Sequence, residues 1–273
     1  MIFRRIFFFF SGYFIVRSFY TKEECGLLRK YVESLDWEIG ATNLKQGSLL
    51  FRDVEAHPML KKIFPSNKIN YSKRVIEDAL GLNVMDLGFR SVQLRMHSPI
   101  WHIDMQTFAN DLPSVARDRR FKVVKCGVYL QNEKYNGGGT LEVKTPYLGG
   151  GVKNLWHSKL SQSCLKDILS EIHAPQTAIK KIIRQLGHLS DAIQLWVIRL
   201  NIKEGDLLIF SGGLMHRASQ PRNKNNKIVR DSNTGFYVDL SDSIGKIMLQ
   251  WEFTAQNDWG YIYRTHSREI KYR

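Results

Sequence analysis

Beyond Leu87 the chain is written in short apolar runs bounded by Gly, Pro and Asn. Phe89 to Met96, Phe121 to Gln131, Gly139 to Val143, Leu195 to Ile202, Asp206 to Phe210, Gly235 to Leu240 and Ile247 to Phe253 each read as a strand. Their β-branched and aromatic residues suit a pleated, half-buried surface, and turn residues close each run. Many short strands in succession predict a sandwich or barrel. Before Leu87 the texture differs. Tyr13 to Phe19 reads as a short strand, and Thr21-Lys-Glu-Glu24 has the form of a capping box, which opens a helix running to about Leu35. A second helix is expected from about Ser72 to Leu80.

One stretch, about 149–189, breaks the β pattern. Leu160, Cys164, Leu165, Ile168 and Leu169 follow helical spacing, as do Ile179, Ile182, Ile183 and Leu186. Two helical segments split near Pro175 are expected, inserted into the β-rich chain outside the barrel and near its open end. Packing accounts for their apolar faces, with a lid over the site as the alternative. No repeat or low-complexity linker divides the chain, so residues 1–273 read as one domain, mainly β with flanking helices and this insertion.

The apolar N-terminus, Met1 to Tyr20, raises a targeting question. Ser11 and Gly12 interrupt its run, which is too short to span a bilayer and lacks a small-residue cleavage site. The start of a structural strand or helix is expected, with surplus phenylalanines able to touch a membrane surface. Cys25, Cys126 and Cys164 are isolated and odd in number, which excludes a disulfide framework and a zinc ribbon and fits a reducing, cytoplasmic setting.

Composition is that of a globular protein except for a formal charge of +14. That charge favours anionic partners: a phosphorylated or carboxylated small molecule, nucleic acid, or an acidic membrane surface. Basic residues gather at Arg117, Arg119, Arg120, Lys122 and Lys125, again from Arg217 to Arg230, and at the C-terminus. The absence of a long basic run with interleaved aromatics disfavours nucleic acid. The alternative is a solvated face that only aids solubility. Nothing in the sequence addresses oligomeric state.

The chemistry-bearing residues begin at Trp101-His102-Ile103-Asp104. In extended chain, residues i and i+2 point to the same side, so His102 and Asp104 can reach one ion. A lone His-x-Asp is weak, since a surface pair would look the same. A second piece stands at Gly205 to His216: a Gly-Asp turn, a buried apolar strand, and a histidine emerging after Ser211-Gly-Gly213. Two imidazoles and one carboxylate on one face of an octahedron leave three positions open, which suits iron(II) taking a chelating co-substrate and oxygen together. Zinc would draw on cysteines or a third histidine, and those spacings are absent. A third piece is Arg230-Asp231-Ser232, 14 residues past His216. In a strand, Arg230 and Ser232 share a face, and the guanidinium can grip a carboxylate through two parallel hydrogen bonds. Arg222, in the loop-like Gln-Pro-Arg-Asn-Lys-Asn-Asn, is the rival.

With these pieces the chain resembles the phytanoyl-CoA dioxygenase family of iron(II)/2-oxoglutarate oxygenases. The likeness rests on Ser11 to Phe19 with its following acidic helix, on Trp101 to Asp104, on Asn136 to Val143, and on Gly205 to Arg230. It implies a double-stranded β-helix (jelly-roll, cupin-like) core. It also implies oxidative decarboxylation of 2-oxoglutarate to succinate and CO2, with O2 oxidising an aliphatic C–H bond. His102, Asp104 and His216 would be the metal ligands and catalytic centre, and Arg230 and Ser232 would hold 2-oxoglutarate. The family's Pro-Gly-Ser-His is replaced by Lys144 to Gly149, and the gap from His216 to Arg230 is longer than usual, so a coenzyme A thioester substrate does not follow. Asp104 argues against a halogenase, because halogenating relatives lack this carboxylate.

Gln93 and Arg95 precede the metal motif on one face of a strand and are candidates to touch co-substrate or substrate. Tyr129 and Thr140 lie on expected core strands and are candidates to line the 2-oxoglutarate site. Trp101 could pack beside iron, although a core tryptophan is the ordinary alternative. The leading expectation is a hydroxylase of a polar or anionic small molecule. The alternatives are an oxygenase of a lipid- or carrier-linked substrate at a membrane surface, and a catalytically silent β-barrel that binds a ligand or nucleic acid.

Overall fold

The computed structural model describes residues 2–34, 48–51, 58–94, 96–97, 101–105, 111–112, 122–130, 141–145, 147, 166, 169–170, 173–182, 196–218, 228–230, 237–239 and 247–270. In chain order its elements are α1 Ile2–Ser11, β1 Tyr13–Val16, α2 Lys22–Glu33, β2 Ser48–Phe51, α3 Pro58–Ile63, α4 Ser66–Leu80, β3 Val84–Leu94, β4 Met96–His97, β5 Val123–Tyr129, β6 Leu141–Thr145, β7 Trp196–Arg199, β8 Leu207–Ser211, β9 His216–Ala218, β10 Ile228–Arg230, β11 Tyr237–Asp239, β12 Ile247–Ala255 and α5 Asp258–Ile270.

Every strand pairing is antiparallel. A six-stranded sheet runs β1-β8-β5-β12-β3-β2, and two three-stranded sheets run β10-β11-β4 and β7-β6-β9. The strand pleat gives the large sheet two unlike faces. Leu207 and Ile209 of β8, Val124, Cys126 and Val128 of β5, and Leu249, Trp251 and Phe253 of β12 pack with Leu28 and Val32 of α2, Leu60 and Ile63 of α3, and Ile69, Val75 and Ile76 of α4. Burying side chains the size of Trp251 and Phe253 stabilises the fold by roughly 1.5–3 kcal/mol each. The indole N–H of Trp251 donates to Ser72 Oγ at 3.0 Å, so its one polar group is satisfied. On the opposite face Leu208, Phe210, Tyr129 and Met248 pack against Leu141 and Val143 of β6.

Local signals explain the helix ends. Thr21 and Glu24 form the reciprocal capping box, with Thr21 Oγ1 accepting from the Glu24 N–H and the Glu24 carboxylate accepting from the Thr21 N–H. Helix α4 begins at Ser66, earlier than its hydrophobic period predicts, because its first turn, Ser66-Asn67-Lys68, is polar and carries no periodic signal before Ile69. It ends at Gly81 in the left-handed conformation. The N-terminal run is a helix, with Phe8 and Phe9 buried. Helix α5 was not expected from the sequence. It packs through Tyr263 and Trp259 against Leu87, Phe89 and Val123. Within 149–189, Lys166, Leu169, Ser170 and residues 176–182 are helical, with His173, Ala174 and Pro175 outside helix between them. The other residues of that stretch lie outside the described ones.

The turn that launches β8 is tightly built. Gly205 has φ +77°, and a Cβ there would come within 2.2 Å of the Tyr20 carbonyl oxygen. Next to it, the buried Asp206 carboxylate accepts from the Ser18 and Lys203 amides at 3.0 and 2.9 Å and pairs with Arg17. Gly205→Ala would therefore combine a left-handed backbone with a backbone clash. It is expected to lower unfolding free energy by at least about 1–3 kcal/mol, read as a lower urea midpoint at constant slope. An unchanged midpoint would contradict this account of the turn.

Candidate metal centre

His102 and His216 are far apart in sequence and meet through the main chain. They form an antiparallel bridge in which the His102 N–H donates to the His216 carbonyl at 3.0 Å and the His216 N–H to that of His102 at 2.9 Å. Three residues on, the Met105 N–H donates to the Gly212 carbonyl at 3.3 Å, and the Gly212 N–H donates to the Val123 carbonyl at 2.9 Å. A Cβ at Gly212 would lie 2.9 Å from Met105 Cγ, so the glycine lets the two segments approach.

The side chains converge accordingly. Nε2 of His102 and Nε2 of His216 each lie 3.6 Å from Asp104 Oδ1, and one ligand atom from each residue falls within 4.8 Å of the others. Donors about 2.1 Å from a shared ion lie about 3–4 Å apart, so this spacing suits one metal. No other group of this kind occurs among the described residues. The His216 Nδ1 lies 2.8 Å from the Leu214 carbonyl, and donating to it would leave Nε2 as the free lone pair facing Asp104. Burial lowers the His216 pKa and favours the neutral, ligating imidazole. The Phe210 ring meets this imidazole edge-on, with centroids 5.1 Å apart.

Burial alone would push the Asp104 carboxyl pKa up. The Lys125 ammonium and then the two imidazoles outweigh it and hold the group at about 2, so it is a carboxylate. Lys125 Nζ lies 3.2 Å from Asp104 Oδ2 and 3.1 Å from Glu252 Oε1. Burial works against the ammonium, yet its two carboxylate neighbours raise the pKa above the ordinary lysine value. Asp104 is thus paired on one oxygen and turned toward the histidines with the other. Two neutral-capable imidazoles and one carboxylate, with no thiolate among them, fit an iron site.

Gln93 lies on the inner face of β3, where its Nε2 donates to Gln250 Oε1 at 2.8 Å, and Ser91 Oγ lies 3.3 Å from the same oxygen. Tyr129 is buried on β5, on the face that carries Lys125. Trp101 lies near two cations, with Lys144 Nζ 4.8 Å and Arg217 Cζ 4.6 Å from its ring centroid. Arg217 also binds Glu142 at 2.7 Å. The Arg230 backbone lies in β10 opposite Tyr237, and β11 pairs in turn with β4, the strand that leads toward His102. Arg95, Thr140, Ser232 and the rival Arg222 lie outside the described residues, as do Arg117, Arg119 and Arg120.

Sequence reasoning placed Lys125 in a basic cluster and gave Glu252 no role, whereas Lys125 lies largely enclosed beside Asp104 and pairs with the buried Glu252. The signal was present. A charged residue in the middle of an otherwise buried strand, as in Val124-Lys-Cys126 and Trp251-Glu-Phe253, needs a partner.

No protein-family model and no curated protein matches the chain. Solved structures do. SnoK, a non-haem alpha-ketoglutarate-dependent carbocyclase from nogalamycin biosynthesis, is similar at TM-score 0.52 and 10% identity over 96% of this chain and 89% of that one. EvdO2 from Micromonospora carbonacea var. aurantiaca, complexed with 2-oxoglutarate, is similar at 0.51 and 12% over 92% and 89%. AviO1 from Streptomyces viridochromogenes Tue57 is similar at 0.51 and 11% over 94% of each chain. At these identities the likeness is one of fold. It is a fold that carries a non-haem, alpha-ketoglutarate-dependent enzyme and one complexed with 2-oxoglutarate.

His216→Ala keeps the main-chain bridge and removes one of three ligands. Loss of a supporting partner alone typically costs 10–100-fold in metal affinity, so loss of a ligand is expected to cost about 100-fold or more. Titration calorimetry with Fe(II) under anaerobic conditions reads this. Wild-type affinity in a folded His216→Ala variant would remove His216 from the site.

Proposed function

We propose that this protein is an iron(II)/2-oxoglutarate-dependent oxygenase that hydroxylates an aliphatic C–H bond of a polar or anionic small molecule, releasing succinate and CO2. The observation that carries the reading is the convergence of His102, Asp104 and His216 within 4.8 Å, on segments tied by reciprocal backbone hydrogen bonds. The bound metal would supply O2 activation coupled to decarboxylation of the co-substrate. The chain's own part is to hold that metal by three ligands on one side, leave the other side open, and bind the co-substrate's far carboxylate.

The inner face of the large sheet supports a bound polar molecule. Ser91, Gln250 and Glu252 are buried there where a purely structural sandwich would carry apolar residues. In this reading Arg230, with Ser232 beside it, grips the distal carboxylate of 2-oxoglutarate, and Tyr129, Thr140 and Gln93 line its site. Arg95 and Trp101 are the lesser candidates, for substrate contact. In this reading the core is a double-stranded β-helix of the phytanoyl-CoA dioxygenase type, an architecture with which the antiparallel sheets are compatible. No described helix is long and apolar enough to cross a membrane. A second reading, action on a lipid- or carrier-linked substrate at a membrane surface, draws on Phe3 and Phe7 of α1, which are 82% and 51% exposed.

Three measurements test these assignments. Anaerobic addition of Fe(II) and 2-oxoglutarate is expected to give the visible charge-transfer band of a chelated 2-oxo acid, and its absence in a metal-loaded protein would sink the co-substrate reading. Arg230→Ala is expected to weaken 2-oxoglutarate binding by about one and a half to three and a half decades, the equivalent of ~2–5 kcal/mol for a buried charge partner. Normal binding in that variant with loss in Arg222→Ala would assign the role to Arg222. Once a substrate is known, kcat/KM for an anionic substrate should fall as ionic strength rises. A flat response would leave the +14 charge without a catalytic role.

A further inference from the structure

Lys125 and Glu252 stand directly opposite each other across the β5–β12 pairing, on the face of the sheet turned away from the helices. Their chain neighbours Val124, Cys126, Trp251 and Phe253 all point into the helix-covered core. Phe210, opposite Lys125 on β8, is the residue that meets the His216 ring. One row across the sheet therefore runs Phe210, Lys125, Glu252 and lies beneath the metal ligands.

Such a pair is not what stability calls for. Replacing a buried ion pair by apolar side chains of similar volume is often neutral or stabilising, because desolvation offsets the attraction. What the pair does have is position. Lys125 Nζ contacts Asp104 Oδ2 at 3.2 Å and Glu252 Oε1 at 3.1 Å, while the other Asp104 oxygen, Oδ1, lies 3.6 Å from both imidazole nitrogens. A carboxylate rotates about its last bond, and nothing in Asp104 itself fixes the plane in which one of its two equivalent oxygens faces the histidines. The ammonium fixes that orientation by holding the other oxygen, and Glu252 from the next strand fixes where the ammonium sits.

We propose that Lys125, anchored by Glu252, is a positioning residue that holds Asp104 with Oδ1 toward His102 and His216 and so preorganises the metal site. The inference rests on the reading of His102, Asp104 and His216 as metal ligands. It differs in sign from a purely electrostatic effect, since a cation near a metal site weakens metal binding and its removal would tighten it. Loss of a positioning contact instead loosens binding, by 10–100-fold for supporting partners of metal ligands.

The test is Co(II) affinity and ligand-field absorption in the apo-protein, by competition with a chromophoric chelator, for wild type, Lys125→Met and Glu252→Gln. The expected result is a 10–100-fold weaker affinity with an altered Co(II) spectrum in folded Lys125→Met, and a smaller loss in the same direction in Glu252→Gln. A merely structural role would lower the melting temperature and leave both readouts at wild-type values. Unchanged or tighter binding by folded Lys125→Met, with the wild-type spectrum, overturns the inference while leaving the metal-site reading intact. Should Lys125→Met not fold, Glu252→Gln decides alone: weaker binding supports the inference and unchanged binding overturns it. A wild-type protein that takes up no Co(II) overturns the metal-site reading and this inference with it.

Discussion

The site depends on one piece of backbone pairing, the reciprocal hydrogen bonds between His102 and His216. They bring together two short segments that neither helix propensity nor local turn chemistry could join. Once the main chains are bridged the two imidazoles face one another, and the turn that follows at Asp104 and Met105 brings the Asp104 carboxylate to 3.6 Å from both. The adjoining hydrogen bonds from Met105 to Gly212 and from Gly212 to Val123 tie that bridge to the start of β5, a central strand of the large sheet. The ligand geometry is thus inherited from a ladder of main-chain bonds, which is stiffer than a set of loop side chains would be.

The large sheet contributes through its asymmetry. One face is apolar and carries the helices, with Trp251 and Phe253 fully buried. The other face mixes apolar packing with buried polar side chains: Gln250 joined to Gln93 and Ser91, and Glu252 joined to Lys125. Burying such groups is tolerable only because each meets a partner. Stability is drawn from the helix-covered face, and the inner face is free to carry chemistry. The same division leaves the Asp104 carboxylate charged in a buried place, because Lys125 and the imidazoles outweigh desolvation.

Net charge proved a poor guide to individual basic residues. Lys125 belongs to a sequence cluster of cations yet spends its charge internally, on Asp104 and Glu252. Arg217, in the second cluster, binds Glu142 and lies beside Trp101. Neither is a free surface cation, so any attraction of anionic molecules must come from other basic residues.

Much was legible in the sequence wherever the cause is local. The capping box of Thr21 and Glu24, most of the strands, and the Gly205-Asp206 turn follow from side chains acting on their own backbone or from a period of two. The pairing of a His-x-Asp motif with a distant histidine after a glycine bend was also readable from residue type and order, although Asp104 reaches the imidazoles from a turn and not from extended chain. The early start of α4 was missed because its first turn is polar and adds no hydrophobic period, whereas the amphipathic period of α5 was legible in the sequence but not read as a helix. Only the tertiary structure decided that β5 lies beside β12, and hence that Lys125 faces Glu252 and Asp104. Strand neighbours are set by how the whole sheet buries its apolar face, and no spacing along the chain encodes that choice.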